Sequence, residues 1–185
     1  MPTHDKARSH KKLTTALVLA AVALTTLPVA LAQAGDGGTG TGTSNSQGRP
    51  GKAKLVKGQA IPPSNAPERV VRVIEAANKI ARGKGYCYGG GHGSFKSKCY
   101  DCSGSVSYAL HGGRFIRRPM ASGDFMHWGR ARKGKWITVF SSPGHAYMTV
   151  AGLRFDTSMT KGAGPGWSKQ MRSGSGYRKR HKARF

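Results

Sequence analysis

The three cysteines restrict the fold of this chain more than any other feature, because all of them lie within sixteen residues, at Cys87, Cys99 and Cys102. In an exported protein, an odd number of cysteines indicates one disulfide and one free thiol. A Cys87–Cys99 bond would close a loop of eleven intervening residues, whereas a Cys99–Cys102 bond would strain the start of a predicted helix. We therefore predict a Cys87–Cys99 disulfide and a free Cys102. The spacing lacks the further ligands of a zinc site, and neither a metal nor another cofactor is expected.

The N-terminal segment has the composition of an export signal. A basic stretch over residues 6–12 precedes an uncharged run rich in Leu, Ala and Val over residues 13–32. Small residues then mark a cleavage site near Ala32 or Ala34, so we predict that residues 1–34 are a signal peptide. The apolar run is nearly long enough to span a bilayer, and a retained membrane anchor is the alternative.

The remainder of the chain is predicted to form one domain between two polar segments. Residues 35–66 are rich in Gly, Thr, Pro and Lys and are expected to be a flexible linker. The domain is predicted over residues 67–177. Residues 178–185 are dense in Arg and Lys and are expected to be a basic, solvated tail.

Helices are predicted in the first half of the domain and strands in the second. Apolar residues at helical spacing follow Pro67, with a Ser or Asn as the expected cap, and Asp101 is the predicted cap of a second helix. The glycine-dense turn between them, residues 85–93, would let the backbone approach a ligand or another segment closely, but it lacks the pattern of a phosphate-binding loop. Strand compositions follow over residues 136–140, 145–151 and 153–157. Helices followed by an antiparallel sheet indicate an α+β fold.

The charge of the chain indicates polyanionic partners. The formal net charge is +24, and removal of residues 1–34 would leave +21. Such a charge draws a protein to polyanions by an attraction that salt weakens. Because an exported protein meets the cell surface first, we expect peptidoglycan and anionic cell-wall polymers as partners, and no specific nucleic acid. Contact with the membrane is expected only through the signal segment, and the secreted protein is expected to be a wall-associated monomer.

A cysteine at the start of a helix has the environment of a nucleophile. The unpaired N–H groups and the helix dipole stabilise a thiolate at Cys102, and they could hold the oxyanion of a tetrahedral intermediate. His145 is the candidate base because it opens a predicted strand, and Asp156 on the next strand could accept from its second ring nitrogen. The alternatives are a buried structural Cys102, and an Asp156 that caps a turn or pairs with Arg154.

Three motifs, in their order along the chain, resemble those of the NlpC-type family of papain-like cell-wall peptidases. They are Tyr86-Cys87-Tyr88-Gly89-Gly90, Asp101-Cys102-Ser103-Gly104 and Pro143-Gly144-His145-Ala146-Tyr147-Met148. The resemblance covers about residues 67–160. It implies a papain-like fold, with N-terminal helices packed on an antiparallel sheet.

The resemblance also implies roles for individual residues. Cys102 would be the nucleophile, His145 the base, and Tyr86 a hydrogen-bonding residue near the oxyanion or the substrate. We expect Ser103 and His92 to contact substrate as well, although His92 matches no catalytic position of the family. The family usually places His, and sometimes Asn or Gln, at the third catalytic position, where this chain offers Asp156 after a shorter hairpin.

The resemblance implies a cysteine endopeptidase that cleaves peptide bonds in the stem peptides of peptidoglycan. Family members commonly hydrolyse the bond between D-glutamate and a diamino acid. Two alternatives remain open. One is a non-catalytic protein that binds the cell wall or another polyanion with the same fold, and the other is an amidase or acyltransferase of the same superfamily.

Overall fold

A computed structural model describes residues 48–159 and 163–185. The predicted signal peptide, its cleavage site, the alternative membrane anchor and the first part of the predicted linker lie outside the described residues. Within the described ranges, none of the helices has the length and apolar character needed to cross a membrane.

The described chain forms three helices and eight strands. The helices are α1 (Glu68–Ala81), α2 (Cys102–Gly112) and α3 (Ser122–Phe125). The strands are β1 (Lys54–Val56), β2 (Gln59–Ile61), β3 (Arg130–Ala131), β4 (Ile137–Ser142), β5 (His145–Val150), β6 (Leu153–Asp156), β7 (Gly166–Ser168) and β8 (Arg178–His181).

The main sheet has six antiparallel strands in the order β3-β8-β4-β5-β6-β7. Alternate residues of β5, namely Ala146, Met148 and Val150, are buried on the face that carries α2. The other face carries the intervening side chains of β5, which start with His145 and continue with Tyr147. The fold is therefore α+β, as predicted, with the helices on one side of an antiparallel sheet.

Helix α1 forms for the predicted reason but begins differently. Val70, Val73, Ile74 and Ala77 follow helical spacing and are fully buried. The expected cap from a Ser or Asn side chain is absent, because the residue at the N-cap position is Pro67, which makes no side-chain cap bond. Proline suits a helix start because it has no N–H to leave unpaired.

The predicted flexible linker is ordered from residue 48 onward, which corrects the boundary at residue 66. Strands β1 and β2 form a hairpin. Ala60 in β2 is buried in the core, where its N–H donates to Asn78 Oδ1 and its carbonyl oxygen accepts from Asn78 Nδ2. The N–H of Ala53 donates to the carbonyl oxygen of Ala151 in the turn after β5. Backbone pairing and a side-chain amide therefore fix a segment whose composition gave no strand signal.

The predicted solvated tail is also wrong, because it contains β8, which lies inside the sheet between β3 and β4. Arg180 in β8 pairs with Val139 in β4, and the Arg180 Nε donates to the carbonyl oxygen of Met126 at 2.6 Å. The last residue, Phe185, packs its ring edge-on against Phe115. The domain therefore extends beyond residues 67–177 at both ends.

Candidate active site

The glycine-rich turn positions the start of α2 by close backbone contact. A Cβ on Gly104 would collide with the carbonyl oxygen of Gly90, so glycine is required where the turn meets the helix. The N–H of Asp101 donates to the same Gly90 carbonyl oxygen at 3.1 Å. The structure contains a Cys87–Cys99 disulfide, which closes the loop leading to α2, and Cys102 is free. The turn thus approaches another segment of the chain, one of the two possibilities raised from the sequence.

Asp101 fixes the first turn of α2. Its Oδ1 accepts from the Gly104 backbone N–H at 2.7 Å, as an N-cap side chain does, and its Oδ2 accepts from the Gly89 N–H at 3.2 Å. Cys102 is therefore the first residue of the helix, where the helix dipole favours an anion. The thiol is buried, with 8% of the residue exposed.

The sheet brings His145 and Asp156 together. Met148 in β5 pairs with Phe155 in β6. The next residue of β6, Asp156, therefore lies on the outer face of the sheet, near His145. The Nε2 atom of His145 lies 3.0 Å from Oδ1 of Asp156. The side chain of Asp156 is fully buried, and 21% of the His145 side chain is exposed.

Cys102 and His145 form an interacting pair. The ring of His145 lies near the Cys102 thiol, and each group shifts the pKa of the other. Because Nε2 bonds to Asp156, Nδ1 is the ring nitrogen left for the thiol. The structure thus aligns Cys102, His145 and Asp156 in the order of a nucleophile, a base and an orienting acceptor.

The pair is polarised toward a thiolate and an imidazolium. Burial acts to raise the pKa of Cys102, but hydrogen bonds from the His145 ring and the Ala146 backbone N–H outweigh it and lower the pKa below its ordinary value. Burial acts to lower the pKa of His145, yet hydrogen bonds with Asp156 and Cys102 raise it to about 9. Each charge therefore stabilises the other, which prepares a nucleophile and a proton donor at neutral pH.

The carboxylate of Asp156 is held in its charged form. Burial acts to raise the pKa of Asp156, but the hydrogen bond with His145, the imidazolium charge, and the bonds from the N–H and hydroxyl of Ser158 lower it well below its usual range. The Ser158 N–H donates to Oδ1 at 3.1 Å and the Ser158 hydroxyl to Oδ2 at 3.0 Å. A buried carboxylate with these partners remains an acceptor for His145.

A cleft of about 440 Å³ opens over the sulfur atom. Its lining includes Tyr86, His92, Cys102 and Ser103, the residues singled out from the sequence, together with Ser122 from α3. Tyr86 is 44% exposed at this cleft. Burial, followed by the negative charges of Cys102 and Asp101, raises the pKa of Tyr86, so its hydroxyl stays a hydrogen-bond donor.

His92 lines the cleft and is hydrogen-bonded to the start of α2. Its Nε2 is 2.9 Å from Oδ2 of Asp101 and 3.1 Å from Oγ of Ser103. The structure therefore places His92 and Ser103 together beside the thiol, within reach of a bound ligand. No group of three or more His, Cys, Asp or Glu residues suited to a metal ion occurs in the two described ranges.

The sequence analysis missed the residues that surround Asp156 on the outer face of the sheet. Arg172, from the segment between β7 and β8, donates through an Nη atom to Oδ2 of Asp156 at 3.2 Å. The rings of Tyr147 and Tyr177 lie 6.2 and 6.3 Å, centroid to centroid, from the ring of His145. No sequence signal marked Arg172 or Tyr177, because neither lies in a predicted helix, strand or motif.

Comparisons with known proteins give matches among solved structures alone. No family model matches the chain, and no curated protein matches it. The peptidoglycan hydrolase RipB of Mycobacterium tuberculosis is 28% identical, with a TM-score of 0.48, over 65% of this chain and 68% of that one.

Two further structures are similar at lower identity. The P60 domain of an antigen of M. avium subspecies paratuberculosis is 22% identical, with a TM-score of 0.46, over 61% of this chain and 94% of that one. A mutated form of RipA, a protein that interacts with a resuscitation promoting factor, is 20% identical, with a TM-score of 0.46, over 70% of both chains. Of these three proteins, one is a peptidoglycan hydrolase and one is a P60 domain.

Proposed function

We propose that this chain is an exported cysteine endopeptidase that hydrolyses peptide bonds in the stem peptides of peptidoglycan. The observation that carries the proposal is the arrangement of Cys102, which lines the cleft, with His145 and Asp156 behind it, where the pKa of the thiol is lowered and that of the imidazole is raised to about 9. A thiolate and an imidazolium in contact are the reactive form of a cysteine hydrolase.

The chemistry begins with attack by the Cys102 thiolate on the carbonyl carbon of the scissile bond. The oxyanion that forms would lie against the N–H groups at the start of α2, with the protonated hydroxyl of Tyr86 nearby. The imidazolium of His145 gives its proton to the leaving amine, and an acyl-enzyme remains. His145 then removes a proton from water, which attacks the acyl group and restores the thiolate.

The assignment of the substrate rests on the resemblance of the three motifs and on charge. A stem peptide with its carboxylates is an acidic ligand, and the net charge of +24 favours association with an anionic wall. The cleft offers Tyr86, Ser103 and His92 as hydrogen-bonding partners for the amides and carboxylates of such a peptide. We place the working enzyme outside the cell, on the wall.

The test is digestion of purified peptidoglycan followed by mass spectrometry of the muropeptides. The wild-type protein should release cleaved stem peptides, and Cys102→Ala should release none while it still sediments with the wall. His145→Ala should also be inactive, whereas His127→Ala, which changes an exposed histidine elsewhere, should retain activity. Unchanged lysis by Cys102→Ala would remove the proposal.

The strong positive charge supports a second candidate, a wall or polyanion binder without catalysis. That protein would sediment with the wall in a salt-dependent way and yield no new muropeptide. Alkylation separates the two candidates directly. If Cys102 is a working nucleophile, iodoacetamide should modify it rapidly at neutral pH, and the modification should abolish lysis but not sedimentation.

A further inference from the structure

The outer face of the sheet holds the buried carboxylate of Asp156, and both of its oxygens have hydrogen-bond partners. Oδ1 of Asp156 takes the bond from His145 and the bond from the Ser158 N–H. Oδ2 takes the Ser158 hydroxyl and the Arg172 guanidinium. Because a buried charge without partners is costly, the groups around Oδ2 determine how the carboxylate is turned and which oxygen faces the imidazole.

Arg172 is placed to hold that orientation. The Nη atom that donates to Oδ2 of Asp156 at 3.2 Å also donates to the Ser158 hydroxyl at 2.8 Å. The other nearby arginine, Arg154, is 3.7 Å from Oδ2, and its buried Nε has no hydrogen-bond partner among the described residues. Of these two arginines, Arg172 is therefore the one that hydrogen-bonds to Asp156.

Aromatic rings hold Arg172 in turn. Its guanidinium lies 5.2 Å from the centroid of Tyr147 and 5.4 Å from that of Tyr177, within the range of cation–π contact. The two tyrosine rings meet edge to face at 5.2 Å. Because both rings also lie beside His145, the imidazole, the carboxylate and the guanidinium belong to one packed cluster.

We infer that Arg172 is a positioning residue of the active site, which fixes the buried carboxylate of Asp156 so that its Oδ1 faces Nε2 of His145. The inference rests on the proposed function, because positioning matters for catalysis only if the site is catalytic. It extends that proposal by adding a residue from the segment between β7 and β8 to the site. Arg172 does not touch the thiol or the cleft lining and acts through Asp156.

The decisive variants are Arg172→Gln and Arg172→Lys. Glutamine is shorter and neutral, and lysine keeps the charge but lacks the planar fork that packs beside the two tyrosine rings. Lys169→Met is the matched control, because it removes one positive charge from an exposed side chain of the same segment. Circular dichroism and thermal unfolding would establish that each variant is folded.

The first readout needs no wall substrate. Nuclear magnetic resonance titration should place the pKa of His145 near 9 in the wild-type protein. It should place that pKa about one unit lower in both Arg172 variants, because a misplaced carboxylate stabilises the imidazolium less. The charged groups that face Asp156 are His145, Arg154 and Arg172, with the hydroxyls of Tyr147 and Ser158 beside them, and only Arg172 is changed.

The outcomes separate placement from simple charge. Loss of a cation alone would raise the pKa of His145 in Arg172→Gln and leave it unchanged in Arg172→Lys, and either result would overturn the inference. In hydrolysis, both variants should lose about tenfold to a hundredfold in kcat with little change in KM. If the wild-type protein cleaves no peptidoglycan, the proposed function fails, but the titration and the rate of Cys102 alkylation still decide the role of Arg172.

Discussion

Replacement of Asp156 by Asn tests whether the buried carboxylate sustains the charged state of His145. The pKa of His145 rises from 6.5 to about 9, and at about 1.36 kcal/mol per pKa unit this rise corresponds to roughly 3 kcal/mol in favour of the imidazolium. Asp156 and Cys102 both contribute to it. Loss of the carboxylate charge should therefore lower the pKa of His145, by about one unit.

The measurement is the pH dependence of kcat/KM for hydrolysis. The alkaline limb reports loss of the imidazolium that protonates the leaving amine, so it should fall near pH 9 in the wild-type protein. In Asp156→Asn it should move to about pH 8, and kcat should fall by about tenfold to a hundredfold, because an amide can still accept from Nε2 but carries no charge.

The control is Glu75→Gln, which neutralises an exposed carboxylate on α1 without touching the site. It should leave the alkaline limb in place. An alkaline limb that stays near pH 9 in Asp156→Asn would refute the reasoning, because it would show that Asp156 does not set the charge of His145. A shift of equal size in Glu75→Gln would show that net charge alone moves the limb.

Three further predictions concern stability and charge. Removal of the disulfide by Cys87→Ser with Cys99→Ser should lower the free energy of unfolding by about 2–4 kcal/mol in urea titrations, and an unchanged midpoint would contradict this. Because the folded pKa of Asp156 is depressed, its contribution to stability is fully present above about pH 4 and is lost as the pH falls toward 2. The free energy of unfolding, measured by denaturant titration at each pH, should therefore change less between about pH 4 and pH 2 in Asp156→Asn than in the wild-type protein. An equal change in both proteins would exclude the effect. The double substitution Arg178→Gln with Arg184→Gln, at two exposed positions, should weaken sedimentation with the wall at low salt and leave it unchanged at high salt. Deletion of residues 178–185 should also lower the unfolding temperature, because it removes strand β8 from the sheet.

Local signals were sufficient to predict the elements that carry the catalytic side chains. Asp101 could be recognised as a cap because a carboxylate at the N-cap position accepts from the unpaired backbone N–H three residues later, which here is that of Gly104. Strands β4, β5 and β6 could be recognised because their apolar residues either alternate with polar ones or follow one another without interruption, and because tight turns join the strands. His145 could be paired with Asp156 because two neighbouring strands linked by Gly152 must lie side by side.

The sequence did not predict the elements that depend on distant backbone pairing. Strand β8 consists of Arg178 to His181, and its charged side chains give no alternation of apolar and polar residues. Its place between β3 and β4 is fixed by hydrogen bonds to segments about 40 and about 50 residues earlier in the chain, which no local pattern encodes. Arg172 was missed for the same reason, since its partner Asp156 is reached through the tertiary fold.

The internal position of β8 has a consequence for how the protein becomes competent. Since β8 separates β3 from β4, the main sheet stays split until Arg178–His181 are available to pair. During synthesis, an emerging N-terminal portion would lack both this strand and Arg172, so the groups around Asp156 would be incomplete. The order of the strands would therefore delay closure of the six-stranded sheet until β8 has paired with both β3 and β4.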